Sequence, residues 1–305
     1  MAYDICRSIS VKLLLLMLCH GGYAQKRYQD KVFSKIQVTT FQYSDTLGLD
    51  FYSPRKDTLT HKPLLLLVHG GGFGSGKRNN PLERKFCEDM AKRGYATAAI
   101  SYRLSRKGKS FGCDCPTTEK VTTFRTASQD VLKATQFLVD RSTDLKFDRQ
   151  KIILVGSSAG AEAVLNTVFM RNHYDFKELP YGTLNFAGVV SMAGAVMDAD
   201  YITLDTAIPT LLFHGIKDKL VPFETAPHHF CEAKAPGFMV LDGSQTITKK
   251  LEALNAPYTL VMDAKGNHDW ANLAYAYTDL VSTFIKDIIL DKEHRQSKIL
   301  IAPKK

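Results

Sequence analysis

The stretch KIILVGSSAGAEAVLNTVF (residues 151–169) runs a short apolar segment into two glycine-framed serines and then into a helical pattern. In a strand-to-helix elbow the residue at the tip takes a strained backbone conformation, and small residues two before and two after it let strand and helix approach closely. Counting Gly156, Ser157, Ser158, Ala159 and Gly160 puts Ser158 at the tip and Ser157 at the variable position. A helix beginning here aims its N-terminal amides and positive dipole end near Ser158, which favours negative charge developing there. An ordinary Gly-Ser-rich turn has the same composition, so the assignment of Ser158 as a nucleophile needs partners elsewhere in the chain.

Three further stretches supply them. VHGGGFGSG (residues 68–76) follows an apolar run, and its glycines leave backbone N–H groups open to a substrate oxygen. Gly71 and Gly72, with Ala159 after the elbow, are the candidate oxyanion donors. A phosphate loop would share the spacing from Gly71 to Gly76 and the following Lys77, but Arg78 stands where a Ser or Thr must bind magnesium. PTLLFHGIKDKLVPF (residues 209–223) is a buried-strand pattern ending in a loop with Asp218, the candidate acid; a carboxylate there can accept a histidine Nδ1–H and fix its tautomer. Asp198 and Asp200 are rival acids on the preceding strand's loop, and His214, ahead of the Gly215 turn, reads as a structural histidine. LVMDAKGNHDW (residues 260–270) places His268 after the last predicted strand as the candidate base, completing the chain order Ser, Asp, His.

Around these motifs strand and helix patterns alternate. Strand patterns occupy residues 41–54 (two, around a turn), 63–70, 95–102, 151–156, 186–194, 208–215 and 258–263; helix patterns occupy 81–94, 119–142, 161–172, 228–235, 244–255 and 271–290. In the long helix Val121, Phe124, Ala127, Val131, Ala134 and Leu138 keep three-and-four spacing. This order predicts an α/β class with a mostly parallel central sheet covered by helices on both faces. No low-complexity linker or repeat divides the chain, so it reads as one domain followed by a basic tail, DKEHRQSKILIAPKK (residues 291–305).

Composition fits: 305 residues, 45% hydrophobic and 23% charged, are enough for one well-buried core. No later apolar run approaches the roughly 18 residues of a membrane span, so stable membrane insertion is not expected. The net charge of +9 is spread along the chain rather than gathered into a nucleic-acid-binding run. The N-terminus carries Arg7 and Lys12 around the start of an apolar run and ends in Gly21, Gly22, Tyr23 and Ala24, which reads as a signal peptide over residues 1–24 with export to an oxidising compartment and a catalytic domain over 25–305. Leu18 is too bulky to precede a lipidated Cys19. Cleavage leaves Cys87, Cys113, Cys115 and Cys231. A bond between Cys113 and Cys115 would be strained, so one of them pairs with Cys87 or Cys231, or all four stay thiols. No histidine or second C-x-x-C accompanies them at metal-ligand spacing.

HGGGF, SYRL, GSSAG, HGIKDKLVPF and GNHDW occur in that order over about residues 41–290, and in this the sequence resembles the α/β-hydrolase superfamily, in particular esterase/lipase-like carboxylesterases of the bacterial feruloyl-esterase-like group. Two departures bear on the subfamily. Ser157 stands where hormone-sensitive-lipase-like members usually carry an acid, and HG-x-x-D-x-x-VP is more similar to dienelactone-hydrolase and prolyl-oligopeptidase-type catalytic domains. The resemblance implies a serine ester hydrolase with Ser158, Asp218 and His268 as its triad, Gly71, Gly72 and Ala159 as its oxyanion hole, no metal or organic cofactor, and a small-molecule or saccharide ester as partner rather than nucleic acid. By analogy, short-chain or carbohydrate-linked acyl esters are the expected substrates. The loop at residues 101–116 is placed to wall the pocket, and Phe73, Tyr102, Phe111, Phe223 and Trp270 serve either an apolar subsite or the core. The rival readings are a prolyl-oligopeptidase-type serine peptidase, for which the chain has no room for a propeller, and a non-catalytic binding protein on the same fold.

Overall fold

A computed structural model describes residues 27–301. The expected signal peptide at residues 1–24 lies outside the described residues, as do the last four positions.

The strands are β1 (Ile36–Gln42), β2 (Gly48–Pro54), β3 (Lys62–Val68), β4 (Ala96–Ile100), β5 (Phe147–Ser157), β6 (Gly188–Met192), β7 (Ala195–Val196), β8 (Thr210–Gly215), β9 (Thr225–Pro227), β10 (Val240–Gly243), β11 (Tyr258–Asp263) and β12 (Gln296–Leu300). The principal helices are α1 (Pro81–Lys92), α2 (Thr117–Val139), α3 (Ala159–Phe169), α4 (Ser244–Ala253), α5 (Trp270–Leu273) and α6 (Thr278–Phe284). Nine strands form one sheet in the order β1-β2-β4-β3-β5-β6-β8-β11-β12. The β1–β2 and β2–β4 pairings are antiparallel and the rest parallel. A small antiparallel sheet, β7-β10-β9, stands beside it.

Every residue of β3 is buried, as a central parallel strand covered on both faces requires. Because side chains alternate across a strand, its leucines divide between two cores. Leu64, Leu66 and Val68 join Phe124 and Val131 of α2 and Val164 and Leu165 of α3. Leu65 and Leu67 join Phe86 and Met90 of α1 and Trp270, Val281 and Phe284 on the opposite face.

Three expectations are corrected. Residues 296–300 are not tail but strand β12, laid parallel on β11 with Val261 opposite Ile299; the surrounding charges mask a short strand at the sheet edge. Residues 228–235 form no α-helix: a single 3-10 turn at His228–Phe230 is bounded by Pro227, and His229 and Phe230 take left-handed φ of 57° and 51°. Cys231 then ends the turn in a disulfide. The pattern at 271–290 breaks at Tyr277, which leaves helical dihedrals (φ −93°, ψ 39°), and ends in a π-helical turn at Ile285–Leu290.

Candidate active site

The elbow is built by backbone contact. Ser158 takes φ 49° and ψ −122° between β5 and α3, with its N–H donating to the Met192 carbonyl at 2.8 Å. A Cβ on Gly156 would stand 2.2 Å from the Gly160 carbonyl oxygen, and one on Gly160 would stand 2.1 Å from that of Val68. Only glycine fits either place, so the sequence frame G-x-S-x-G is a packing requirement of β3, β5 and α3.

His268, in the loop between β11 and α5, comes within 2.8 Å of Ser158 Oγ through Nε2 and within 2.7 Å of Asp218 Oδ2 through Nδ1. A carboxylate only accepts, so Nδ1 carries the proton and Nε2 is left to accept from the serine hydroxyl. Asp218 is buried, and its other oxygen accepts the N–H groups of Leu220 at 2.8 Å and Val221 at 3.0 Å. Burial alone would raise its pKa, but hydrogen bonds and charge from His214 and His268 outweigh this and hold the carboxyl far below the usual range. His214 is fully buried, with Nδ1 2.8 Å from Ser244 Oγ and Nε2 3.1 Å from the Val221 carbonyl. It braces the Asp218 loop, in keeping with a structural role. The rival acids lie elsewhere: Asp198 caps its own turn, and the exposed Asp200 pairs with Lys250.

Ser158 and His268 open on a cavity of about 480 Å³ that Gly71, Gly72 and Ala159 also line. Gly71 and Gly72 have φ of 117° and 57°, and the Gly71 carbonyl accepts the N–H groups of Gly74 and Ser75. Behind the loop Tyr102 donates to the His69 carbonyl at 3.0 Å and stacks on the His69 ring. Of the five aromatic candidates only Phe111 reaches the cavity. Phe73, Tyr102, Phe223 and Trp270 are core residues, Trp270 donating to Asp263 at 3.1 Å.

The loop at residues 101–116 is tied across the molecule by a disulfide between Cys113 and Cys231, while Cys87 and Cys115 are buried thiols. The cavity also holds residues that sequence reasoning missed: Glu162, His228, His229, Glu83, Asn80 and Asn272. Glu162 had a signal, since four residues after Ser158 on a helix is the same face one turn on. His228 and His229 had none, because the disulfide and the small sheet bring them in from far along the chain.

Residues 49–196 match the BD-FAE family model, just under half of the chain. An ethyl acetate hydrolase of Pseudomonas putida is 29% identical over 139 residues, 45% of this chain and 38% of that protein, so the match spans well under half of the relative's length. Among solved structures, a butyrate-bound esterase of Thermogutta terrifontis superposes with TM-score 0.60 at 19% identity, covering 86% of this chain and 97% of the other. Esterase B of Lactobacillus Rhamnosis does so with TM-score 0.56 at 18% identity, covering 95% and 99%. The chain thus shares the α/β-hydrolase fold of these esterases, and its residues 49–196 are similar to the BD-FAE family.

Proposed function

We propose that the protein is a serine carboxylic ester hydrolase acting on short-chain or carbohydrate-linked acyl esters, exported by cleavage before Gln25. The observation that carries this reading is the unbroken chain from Ser158 Oγ through His268 to Asp218, opening on a glycine-lined cavity. Ser158 Oγ attacks the ester carbonyl as His268 Nε2 takes its proton, and the imidazolium is stabilised by Asp218. The oxyanion is met by the amides of Gly71, Gly72 and Ala159, each donor worth about 3–4 kcal/mol in the transition state. His268 then protonates the leaving alcohol, and water repeats the cycle on the acyl-serine. The partial likeness to an ethyl acetate hydrolase and the butyrate held by a structural neighbour support short acyl groups. A disulfide among the described residues supports an oxidising destination.

The test is hydrolysis of p-nitrophenyl esters from acetate to dodecanoate by purified residues 25–305, with Ser158→Ala as control. Turnover peaking at short chains and absent from the variant is expected. No Ser158-dependent turnover of any ester, with release of p-nitroaniline from prolyl substrates instead, would overturn the reading in favour of a peptidase.

A further inference from the structure

The proposed ester chemistry leaves two buried carboxyls of the cavity without a task, Glu83, which accepts from the Tyr275 hydroxyl, and Glu162. Glu162, one turn after Ser158 on α3, is only 2% exposed and lines the cavity with Phe111, His228 and His229. Its Oε1 is buried with no aligned hydrogen-bond donor. His228 Nε2 is 3.2 Å away, but the contact lacks hydrogen-bond alignment, and such contacts weaken steeply off axis. A buried polar oxygen without a donor is costly, and native proteins seldom leave one so.

The wall behind Glu162 determines which ligand group would suit it. Lys120 is fully buried, donates to the Gly237 carbonyl at 2.7 Å and stands 3.4 Å from His228 Nδ1. An ammonium has only donors, so Nδ1 accepts and the imidazole proton sits on Nε2, on the Glu162 side of the ring but out of line with Oε1. Burial and the Lys120 charge push the His228 pKa down to about 3, so the ring is neutral. Backbone bonds pin this wall: the His228 N–H donates to Met239 O at 2.7 Å and the His229 N–H to Leu220 O at 2.9 Å. A cationic ligand group would meet the Lys120 charge in a water-poor place. A purely alkyl group would leave Glu162 unpartnered. A neutral hydroxyl supplies the missing donor and brings no charge.

We propose that Glu162 is a specificity-determining residue that selects, among ester substrates, those carrying a free hydroxyl on the portion lying against the Phe111, His228 and His229 wall. The proposal rests on the esterase reading. In the complex the hydroxyl donates to the Glu162 carboxylate, and an alkyl analogue of equal size binds with that oxygen unsatisfied.

The test compares matched esters that differ by a hydroxyl in place of a methyl: butyl acetate with 3-hydroxypropyl acetate, and p-nitrophenyl butyrate with p-nitrophenyl 3-hydroxypropanoate. Wild type is expected to favour the hydroxylated member of at least one pair by about 10- to 100-fold in kcat/KM. Glu162→Leu is expected to bring that ratio to within about threefold of unity, and Glu162→Gln, which keeps an acceptor without charge, to leave it between. Equal use of both members of each pair by wild type, or a preference unchanged in Glu162→Leu, overturns the proposal. If Glu162→Leu does not fold, the wild-type and Glu162→Gln ratios decide by the same criteria. Calorimetric binding of the four esters to Ser158→Ala reads the preference without turnover. Selective binding with no Ser158-dependent hydrolysis in wild type therefore overturns the esterase reading alone, and hydrolysis without selectivity overturns the role of Glu162 alone.

Discussion

Ser157 and Ser158 are adjacent in the chain and serve different parts of the molecule: Ser157 Oγ donates to the Ala271 carbonyl at 2.7 Å, while Ser158 Oγ lies 2.8 Å from His268 Nε2. Ala271 belongs to α5, the turn that follows His268, so Ser157 ties the elbow to the element that carries the histidine. Ser158→Ala is expected to lower kcat on esters by on the order of a thousandfold or more. Ser157→Ala should keep kcat within about tenfold and lose about 1 kcal/mol of stability in denaturant titration. The opposite pattern would make Ser157 the nucleophile.

Asp218→Asn keeps the side-chain shape and an acceptor for the Leu220 and Val221 amides, but removes the charge facing His268 Nδ1 and favours the wrong tautomer. A fall in kcat of about 10⁴ is expected. Because the folded carboxyl titrates below its ordinary 3.8, its stabilisation is present above that pH and is lost as pH falls toward the folded value. The stability deficit of the variant, measured by thermal melting, should therefore be full at neutral pH and shrink below about pH 4.

The two loop glycines should respond unequally to alanine. At Gly71, with φ 117°, a Cβ would stand 2.3 Å from the Ser75 carbonyl oxygen, so the loop must rebuild. At Gly72, with φ 57°, nothing lies within 4 Å and only left-handed strain of about 1 kcal/mol is incurred. Gly71→Ala is expected to cut kcat/KM by about 100-fold and Gly72→Ala by less than about tenfold. Similar losses for both would show that both amides, rather than the loop shape, set the rate.

The disulfide joins Cys113 to Cys231 across a sequence separation of 118 and holds the wall that carries His228 and His229. Cys113→Ser, or reduction of the wild type, should cost about 2–4 kcal/mol in denaturant unfolding and raise KM more than it lowers kcat. An unchanged KM would show that the backbone bonds alone keep the wall in place.

The carboxyl of Glu162 offers a pH signature. Burial raises it from 4.5 to about 7, against the opposing charges of His229, His268 and Lys120. A raised folded pKa means that stability is full below about pH 4.5 and declines as pH rises toward 7, where a buried charge must form. Glu162→Gln removes that charge, so its melting temperature relative to wild type should rise between pH 5 and pH 8, by the equivalent of about 2–3 kcal/mol. A difference independent of pH would mean that Glu162 ionises freely in the folded protein.

What could be read in the sequence was local. Ser158, Asp218 and His268 each close a motif set by a strand end, and the parallel sheet joins strand ends that the chain spaces far apart. Strand β3 and helix α2 declared themselves by uninterrupted apolarity and by three-and-four spacing. Strand β12 did not, since five residues among charges have too little pattern and acquire their conformation from β11. His228 and His229 were silent for a related reason: a left-handed turn, a disulfide and the small sheet bring them to the cavity, and none of these has a period. The aromatic candidates stayed open between subsite and core because proximity in sequence to a site loop does not distinguish its lining from the core beneath it.

The interlocking of Gly156, Gly160 and the Val68 carbonyl means that Ser158 is located by main-chain contact among β3, β5 and α3. The parts of the wall that carry Phe111, His228 and His229, by contrast, hang on connections outside those three elements. For enzyme engineering this separates two tasks. Loop 101–116 and the segment around His228 can be exchanged or randomised to seek new acyl or alcohol preferences, with Ser158 acting as a fixed origin of coordinates for every library built around it.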